Sequence, residues 1–200
     1  MSHRIYQTDA FVMSSQPSRE ADLYLTLLTK EFGLIRATAQ GSRYEKSKLR
    51  FSIQDLSFSS VSLVKGKSGW RLTNAFLYQN FSHHFSKENG GNNVIKMICQ
   101  TFRLLERLIQ GEEPNQKIFE ILQNAFTYLG DNRLEQKELL DMECVLMLRI
   151  LHNLGYIGNT EGINFYTTAS TMEHSIIKEM NNDRAKALKE IHRALEESHL

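Results

Sequence analysis

The chain has 200 residues, a net charge of +1 and ordinary apolar (41%) and charged (24%) fractions. This length allows one large domain or two small ones, each able to bury a hydrophobic core. No apolar run approaches membrane-spanning length, and residues 1–4 lack the apolar segment of a signal peptide. We therefore expect a cytoplasmic protein in which Cys99 and Cys144 are separate buried thiols, because disulfides are rare in that compartment.

Charge and hydrophobic period both change near residue 80. Residues 1–80 carry a net charge of +5, whereas residues 81–200 carry −4. Apolar residues alternate with polar ones before this point and recur with a helical period after it. We therefore predict two domains, a strand-rich one over residues 1–80 and an all-helical one over residues 81–200.

The first domain is predicted to contain five short strands, at residues 5–13, 22–31, 34–41, 55–65 and 70–77. Residues 14–18 contain turn-forming residues and are predicted to form a loop. Residues 49–53 are predicted to form a short helical turn that plugs one end of the sheet. Five short strands with such a plug indicate an OB-type barrel, so the fold class is α+β, with a five-stranded OB-fold barrel followed by helices.

The fourth predicted strand contains a change of phase. Leu56 and Phe58 share one phase of the alternation, whereas Val61 and Leu63 share the other. One additional residue at Ser59–Ser60 would restore the register, so the pattern predicts a β-bulge there.

The second domain is predicted to contain three long helices, then a short helix and a separate last helix. The long helices begin near Asn92, Pro114 and Leu134 and end at the glycines 111, 130 and 155. The third is apolar almost all round, which places it centrally in the bundle. Residues 156–169 are predicted to be irregular. Ser170–Glu173 has the spacing of a capping box before a short helix, and Asp183 is predicted to cap the last one.

Positive charge is concentrated between Leu34 and Arg71, a stretch that contains eight Lys and Arg but only two acidic residues. A charge run is usually a solvated face, but such a face mixes both signs. The scarcity of acids, with aromatic residues among the cations, favours a nucleic-acid surface. The predicted DNA-binding residues are Arg36, Arg43, Tyr44, Lys46, Lys48, Arg50, Lys65, Lys67, Trp70 and Arg71.

Catalytic motifs are absent from the sequence. It contains no nucleophile elbow, no phosphate-binding loop and no zinc-protease motif. A hydrolase would need a nucleophile and a base, and no candidate pair stands out. We therefore predict a non-enzymatic protein with no catalytic residue, no metal site and no cofactor.

Six segments occur in a recognisable order: 20–33 (with Glu20-Ala21-Asp22 and Leu25–Gly33), 39–43, 46–50, 72–75, 142–143 and 151–156. Together they resemble the RecO family of bacterial recombination mediators over nearly the whole chain. The resemblance implies an OB-fold followed by a helical domain. It also implies binding of single- and double-stranded DNA, annealing of complementary strands and help in loading recombinase. Association with the nucleoid would follow from such a role.

The resemblance further implies two protein partners, the ring-forming protein RecR and the acidic C-terminal tail of single-strand-binding protein. Two rows of basic residues on predicted helices could receive that tail, beside an apolar crevice at Cys99 and Phe102. The alternative is that both rows are solvated helix faces balanced by Glu106 and Glu190. The predicted partner-binding residues are Lys96, Arg103 and Arg107 on the first helix, and Lys186, Lys189 and Arg193 on the last.

One departure from the family concerns zinc. Many relatives carry a four-cysteine zinc site after the segment that corresponds to residues 151–156, but residues 157–169 contain no cysteine. We therefore expect the protein to fold without metal. A protein–protein adaptor with little affinity for DNA remains the alternative function.

Overall fold

The computed structural model describes residues 4–86, 90–158, 162–169 and 171–198. Contacts divide the chain into two compact units, Met1–Gln116 and Lys117–Leu200. The first unit therefore includes helical residues as well as the strands, and the predicted domain boundary at residue 80 stays a prediction. Within the described ranges, no helix has the length and apolar character to span a bilayer.

The first unit is built on five strands, β1 (Ile5–Pro17), β2 (Leu23–Thr29), β3 (Gly33–Ala39), β4 (Ser57–Gly66) and β5 (Gly69–Asn80). They close into a barrel in the order β1-β2-β3-β5-β4, with β3 and β5 parallel and the other pairs antiparallel. The predicted OB-fold barrel is confirmed. The predicted loop at residues 14–18 is wrong, because Ser14–Pro17 pair with β2 and extend β1.

The barrel core is formed by the inward residues of all five strands. Ala10, Leu25 and Ala37 are among the fully buried members of this cluster. Ile53 belongs to the same cluster, and Leu49 packs against it from the end of the barrel. The predicted plug is therefore confirmed in position, although its backbone consists of consecutive turns rather than a helix.

The predicted bulge at Ser59–Ser60 is wrong. β4 pairs with β1 without interruption, and the irregularities occur in its pairing with β5, where Thr73 and Tyr78 are the additional residues. Ser57 and Ser59 face the interior and are fully buried. Because small serines fill the interior positions at this end of β4, Phe58 faces outward without any change of phase.

A second apolar layer lies outside the barrel and explains the misleading pattern. The ring of Phe11, on the outer side of β1, stacks on Phe58 with centroids 4.8 Å apart. Phe102 contacts Phe11 at 6.1 Å. Phe102 belongs to α2 (Gly91–Leu108), which follows the short helix α1 (Phe81–Phe85). This layer attaches α2 to the barrel.

The chain that follows α2 is pressed against the turn between β2 and β3. Gly33 occupies this turn with φ +67°, and a Cβ atom there would lie 2.1 Å from the carbonyl oxygen of Glu113. Thr29 stabilises the turn, since its hydroxyl donates to the Gly33 carbonyl at 2.8 Å and accepts from the Phe32 N–H at 3.0 Å. Only glycine satisfies both the backbone conformation and the close approach.

The second unit contains α3 (Gln116–Asp131), α4 (Gln136–Asn153), α5 (Asn164–Thr168) and α6 (His174–Glu197). Buried residues lie on all sides of α4, which confirms its predicted central position. α5 lies in the segment that was predicted to be irregular. Ser170 of the predicted capping box lies outside the described residues.

The prediction of a short helix followed by a separate last helix is wrong. α6 is continuous, because residues 174–197 contain no glycine or proline. Asp183, predicted to be a helix cap, lies inside α6 and accepts a hydrogen bond of 2.7 Å from the Tyr166 hydroxyl. Buried Arg149 of α4 donates to the carbonyls of Tyr166 (2.9 Å) and Thr171 (3.0 Å) and so holds the connection before α6.

We expect Gly33→Ala to lower the free energy of unfolding by roughly 1–3 kcal/mol, because alanine would occupy a left-handed conformation and meet the Glu113 carbonyl. Gly66→Ala is the matched control, since a Cβ atom there lies 3.9 Å from its nearest neighbour, at ordinary contact distance. Urea unfolding followed by the fluorescence of the single tryptophan, Trp70, measures both. Equal unfolding midpoints for the two variants would contradict this description of the turn.

Candidate nucleic-acid interface

A cleft of about 400 Å³ opens on the side of the barrel where the β1–β2 loop, β3 and the β4–β5 hairpin meet. Its basic residues are Arg19 from the first loop, and Lys67 and Arg71 from the hairpin. Oligonucleotides bind OB-folds at this location, on the face of strands 2 and 3 between these two loops. Arg19 was missed by the sequence analysis because it lies outside the predicted basic stretch.

The β3–β4 loop (residues 40–56) is docked on the β1–β2 loop. The Arg43 guanidinium donates to the carbonyls of Glu20 (3.1 Å) and Arg19 (3.4 Å). The Gly41 N–H donates to the Asp22 carboxylate at 2.8 Å. Arg43 therefore connects the two loops. The β3–β4 loop, which we call the basic loop, adjoins the cleft beside Arg19.

The outer side of the β3–β4 loop presents cations and aromatic rings. Buried Ser42 and Ile53, together with partly buried Leu49, hold the loop from inside. Tyr44 and Phe51 are 63% and 66% exposed on its surface. The exposed cations beside them are Lys46, Lys48 and Arg50. Phe51 was missed because it lies within the segment predicted to plug the barrel.

Trp70 does not lie where a base could stack on it. Its side chain is only 6% exposed and belongs to the barrel core, because it shares the inward phase of Leu72. Tyr6 and Phe32 cover the ring at centroid distances of 5.6 and 5.1 Å. The assignment of Trp70 as a stacking residue is therefore corrected.

Lys65 forms an ion pair with Glu112. Its ammonium nitrogen lies 2.7 Å from Glu112 Oε2 and 4.9 Å from the centroid of the Trp70 ring. The pKa of Glu112 lies below its ordinary value, chiefly because Lys65 donates a hydrogen bond to its carboxylate. Both side chains are about half exposed, and such ion pairs contribute at most about 1 kcal/mol. A polyanion can therefore compete with Glu112 for Lys65.

A second cleft, of about 610 Å³, lies beside the first. One side is formed by Tyr24 of β2 and Arg36 of β3, and the other by Arg107 and the residues up to Glu112. The two clefts share Thr38 and residues 68–70. The structure thus brings Arg36 close to the hairpin and adds Tyr24 and Arg107 to the same face.

The predicted partner-binding residues are exposed, but of the two residues in the proposed crevice Phe102 is buried and Cys99 is partly buried. Phe102 is buried against Phe11, so it offers no apolar surface next to Arg103. Arg193 pairs with Glu190. Lys96, Arg103 and Arg107 lie on α2 in the first unit, whereas Lys186, Lys189 and Arg193 lie on α6 in the second. Whether the two rows form one docking groove stays a prediction.

The residues present do not fit a zinc site. Residues 157–169 contain no cysteine, and within the described part of the chain no three His, Cys, Asp or Glu side chains converge as metal ligands. Burial raises the pKa of the Cys144 thiol to about 11, which keeps it protonated and unreactive.

Comparison with known proteins agrees with this fold. Residues 1–81 match the family model described as Recombination protein O N terminal. The chain is 28% identical over 154 residues to the DNA repair protein RecO of Thermodesulfovibrio yellowstonii, covering 76% of this chain and 58% of that protein. It is 30% identical over 157 residues to the RecO protein of Heliobacterium modesticaldum, covering 76% and 52%.

The barrel and the family match together place the protein in the class of proteins with an N-terminal OB-fold domain of the type found in DNA repair proteins. Residues 1–81 match the N-terminal domain of the RecO family, and the resemblance of the chain to RecO is confirmed. The chain spans about half the length of the curated relatives that it matches.

Proposed function

We propose that this protein is a non-enzymatic DNA-repair accessory factor. It binds single- and double-stranded DNA, anneals complementary strands and assists recombinase loading. Its relatives are named DNA repair proteins, and its barrel carries a basic surface where OB-folds bind oligonucleotides.

The observation that carries this proposal is a set of cations without internal partners. Among the described residues, neither an ion pair nor a side-chain hydrogen bond involves six of the eight basic side chains between residues 34 and 71. These six are Arg36, Lys46, Lys48, Arg50, Lys67 and Arg71, and all are exposed. Such side chains are available to an external polyanion, because no acid in the described part of the chain forms an ion pair with them.

The proposed mechanism is charge neutralisation. Lysine and arginine contacts to phosphate release counterions and carry no sequence information. Because these contacts leave the base edges free, two complementary strands held on a basic surface can pair with each other. This mechanism requires no general base and no nucleophile.

The triple variant Lys46→Glu/Lys48→Glu/Arg50→Glu tests this surface. We expect it to weaken binding to single strands of every sequence alike, and to reduce the slope of log affinity against log salt by about 2, or about 0.7 per lost phosphate contact. Fluorescence anisotropy with labelled oligonucleotides measures both quantities.

The matched control for the triple variant is Lys117→Glu/Lys137→Glu/Lys178→Glu, which makes the same charge change at exposed lysines of the second unit. A general effect of net charge would weaken both triple variants equally. Wild-type binding by the loop variant would contradict the proposed surface.

We also propose RecR and the tail of single-strand-binding protein as partners, on the basis of the family. The exposed basic residues on α2 support docking of the tail of single-strand-binding protein, because cations attract an acidic peptide. If this docking predominates and DNA affinity is slight, the protein is an adaptor.

An acidic peptide that ends in an apolar aromatic residue tests the docking proposal. We expect Lys96→Glu/Arg103→Glu to bind this peptide at least about tenfold more weakly than wild type, because two attractive charge contacts become repulsive. Lys186→Glu/Lys189→Glu tests the row on α6 in the same way. Peptide binding equal to wild type by both double variants would leave these residues as ordinary surface.

A further inference from the structure

The second cleft is a groove with two walls, and we call it the α2-side groove. Its first wall is the outer face of β2 and β3. In the register of these strands, Tyr24 lies opposite Thr38, and Thr26 lies opposite Arg36. Tyr24 and Arg36 are therefore diagonal neighbours on one surface, within reach of a single nucleotide. Tyr24 is 43% exposed there.

The second wall is the end of α2 with the chain that follows it, and it is anchored to the barrel at three places. The Ser14 hydroxyl donates to the Glu106 carboxylate at 2.9 Å. Glu112 pairs with Lys65, and the Glu113 carbonyl packs on Gly33. These contacts hold the second wall against the barrel within the first unit.

Charge in the α2-side groove is positive after these contacts are counted. Glu112 is paired with Lys65, whereas Glu106 accepts a hydrogen bond from Ser14 and keeps its charge, so Arg36, Arg107 and Lys65 outnumber the two acids. In the part of the chain that the structure describes, Arg36 and Arg107 form neither an ion pair nor a side-chain hydrogen bond. Two available guanidinium groups beside an exposed tyrosine suit a phosphate backbone that carries unpaired bases.

We propose that the α2-side groove holds a single strand of DNA, with one base stacked on Tyr24 and phosphates bound by Arg36 and Arg107. This inference rests on the proposed function, and it adds residues outside the basic loop. It requires unpaired bases, since a base within a duplex cannot expose its face to Tyr24. It also separates Arg107 from Arg103, which lies one turn earlier on α2 and does not line the groove.

The first test compares Tyr24→Ala with Tyr24→Phe on single strands and on duplexes. Loss of stacking should weaken binding of Tyr24→Ala to single strands by at least about fivefold, while Tyr24→Phe keeps the ring and binds like wild type. Duplex affinity should be the same for all three proteins. Unchanged single-strand affinity in Tyr24→Ala, or an equal loss on duplexes, would overturn the proposal.

The second test compares Arg107→Ala with Arg103→Ala and does not depend on Tyr24. Arg107→Ala should reduce the salt slope for single strands by about 0.7, which corresponds to one phosphate, whereas Arg103→Ala should not change it. A salt slope for Arg107→Ala that equals those of Arg103→Ala and wild type would exclude Arg107 from the path of the strand.

Different results would contradict the proposed function and the α2-side groove. If wild type does not bind single strands, the proposed function is wrong, and the inference falls with it. If wild type binds, the loop triple variant weakens binding, and neither Tyr24→Ala nor Arg107→Ala has any effect, then only the α2-side groove is wrong. Thermal unfolding of each variant confirms that the protein remains folded.

Discussion

The parallel pairing of β3 with β5 is the contact on which the candidate interface depends. Ala37–Ala39 pair with Trp70–Leu72 and close the barrel. Because side chains alternate along a strand, this register directs the alanines and Trp70 inward. The same register directs Arg36 and Arg71 outward, onto one side of the barrel. One short ladder thus creates both the hydrophobic core and the basic face.

The basic face comprises Arg36, Arg71 and the cations of the β3–β4 loop. Interior contacts hold it in place and leave its cations exposed. Ser42 and Ile53 fix the β3–β4 loop from inside, and Arg43 attaches it to the β1–β2 loop. Gly33 fixes the chain after α2 against the sheet. A surface that is ordered before binding loses less conformational entropy when a ligand binds. For a flexible strand of DNA, the remaining entropic cost lies mainly in the nucleic acid.

Much of the first unit could be predicted from alternation alone, because one face of each strand is buried. The five strands and the plug were predicted from this pattern. The pattern misled at Phe58, because an apolar residue on the outside of β4 packs in a layer that only α2 completes. It misled at Ser14–Pro17 because turn-forming residues pair with β2 in the folded state.

The site residues divide for similar reasons. The phase of Leu72 could have placed Trp70 in the core, but its position among cations suggested stacking. Tyr24 has the opposite phase to Leu25, so its exposure was predictable. Its role depends on the second wall, and that wall is anchored by contacts between residues far apart in sequence, such as Gly33 and Glu113. Asp183 is not a cap because it lies inside the continuous helix α6, and its hydrogen-bond partner, Tyr166, lies in a segment without a clear period.

The central claim is that DNA binds by neutralisation of its phosphates on the basic face of the barrel. The salt dependence of wild-type affinity for a labelled single strand tests this claim most directly. If about four phosphates are contacted at once, log affinity should fall with log salt with a slope of about −3. Affinity that does not change with salt, or no measurable binding at low salt, would contradict the claim.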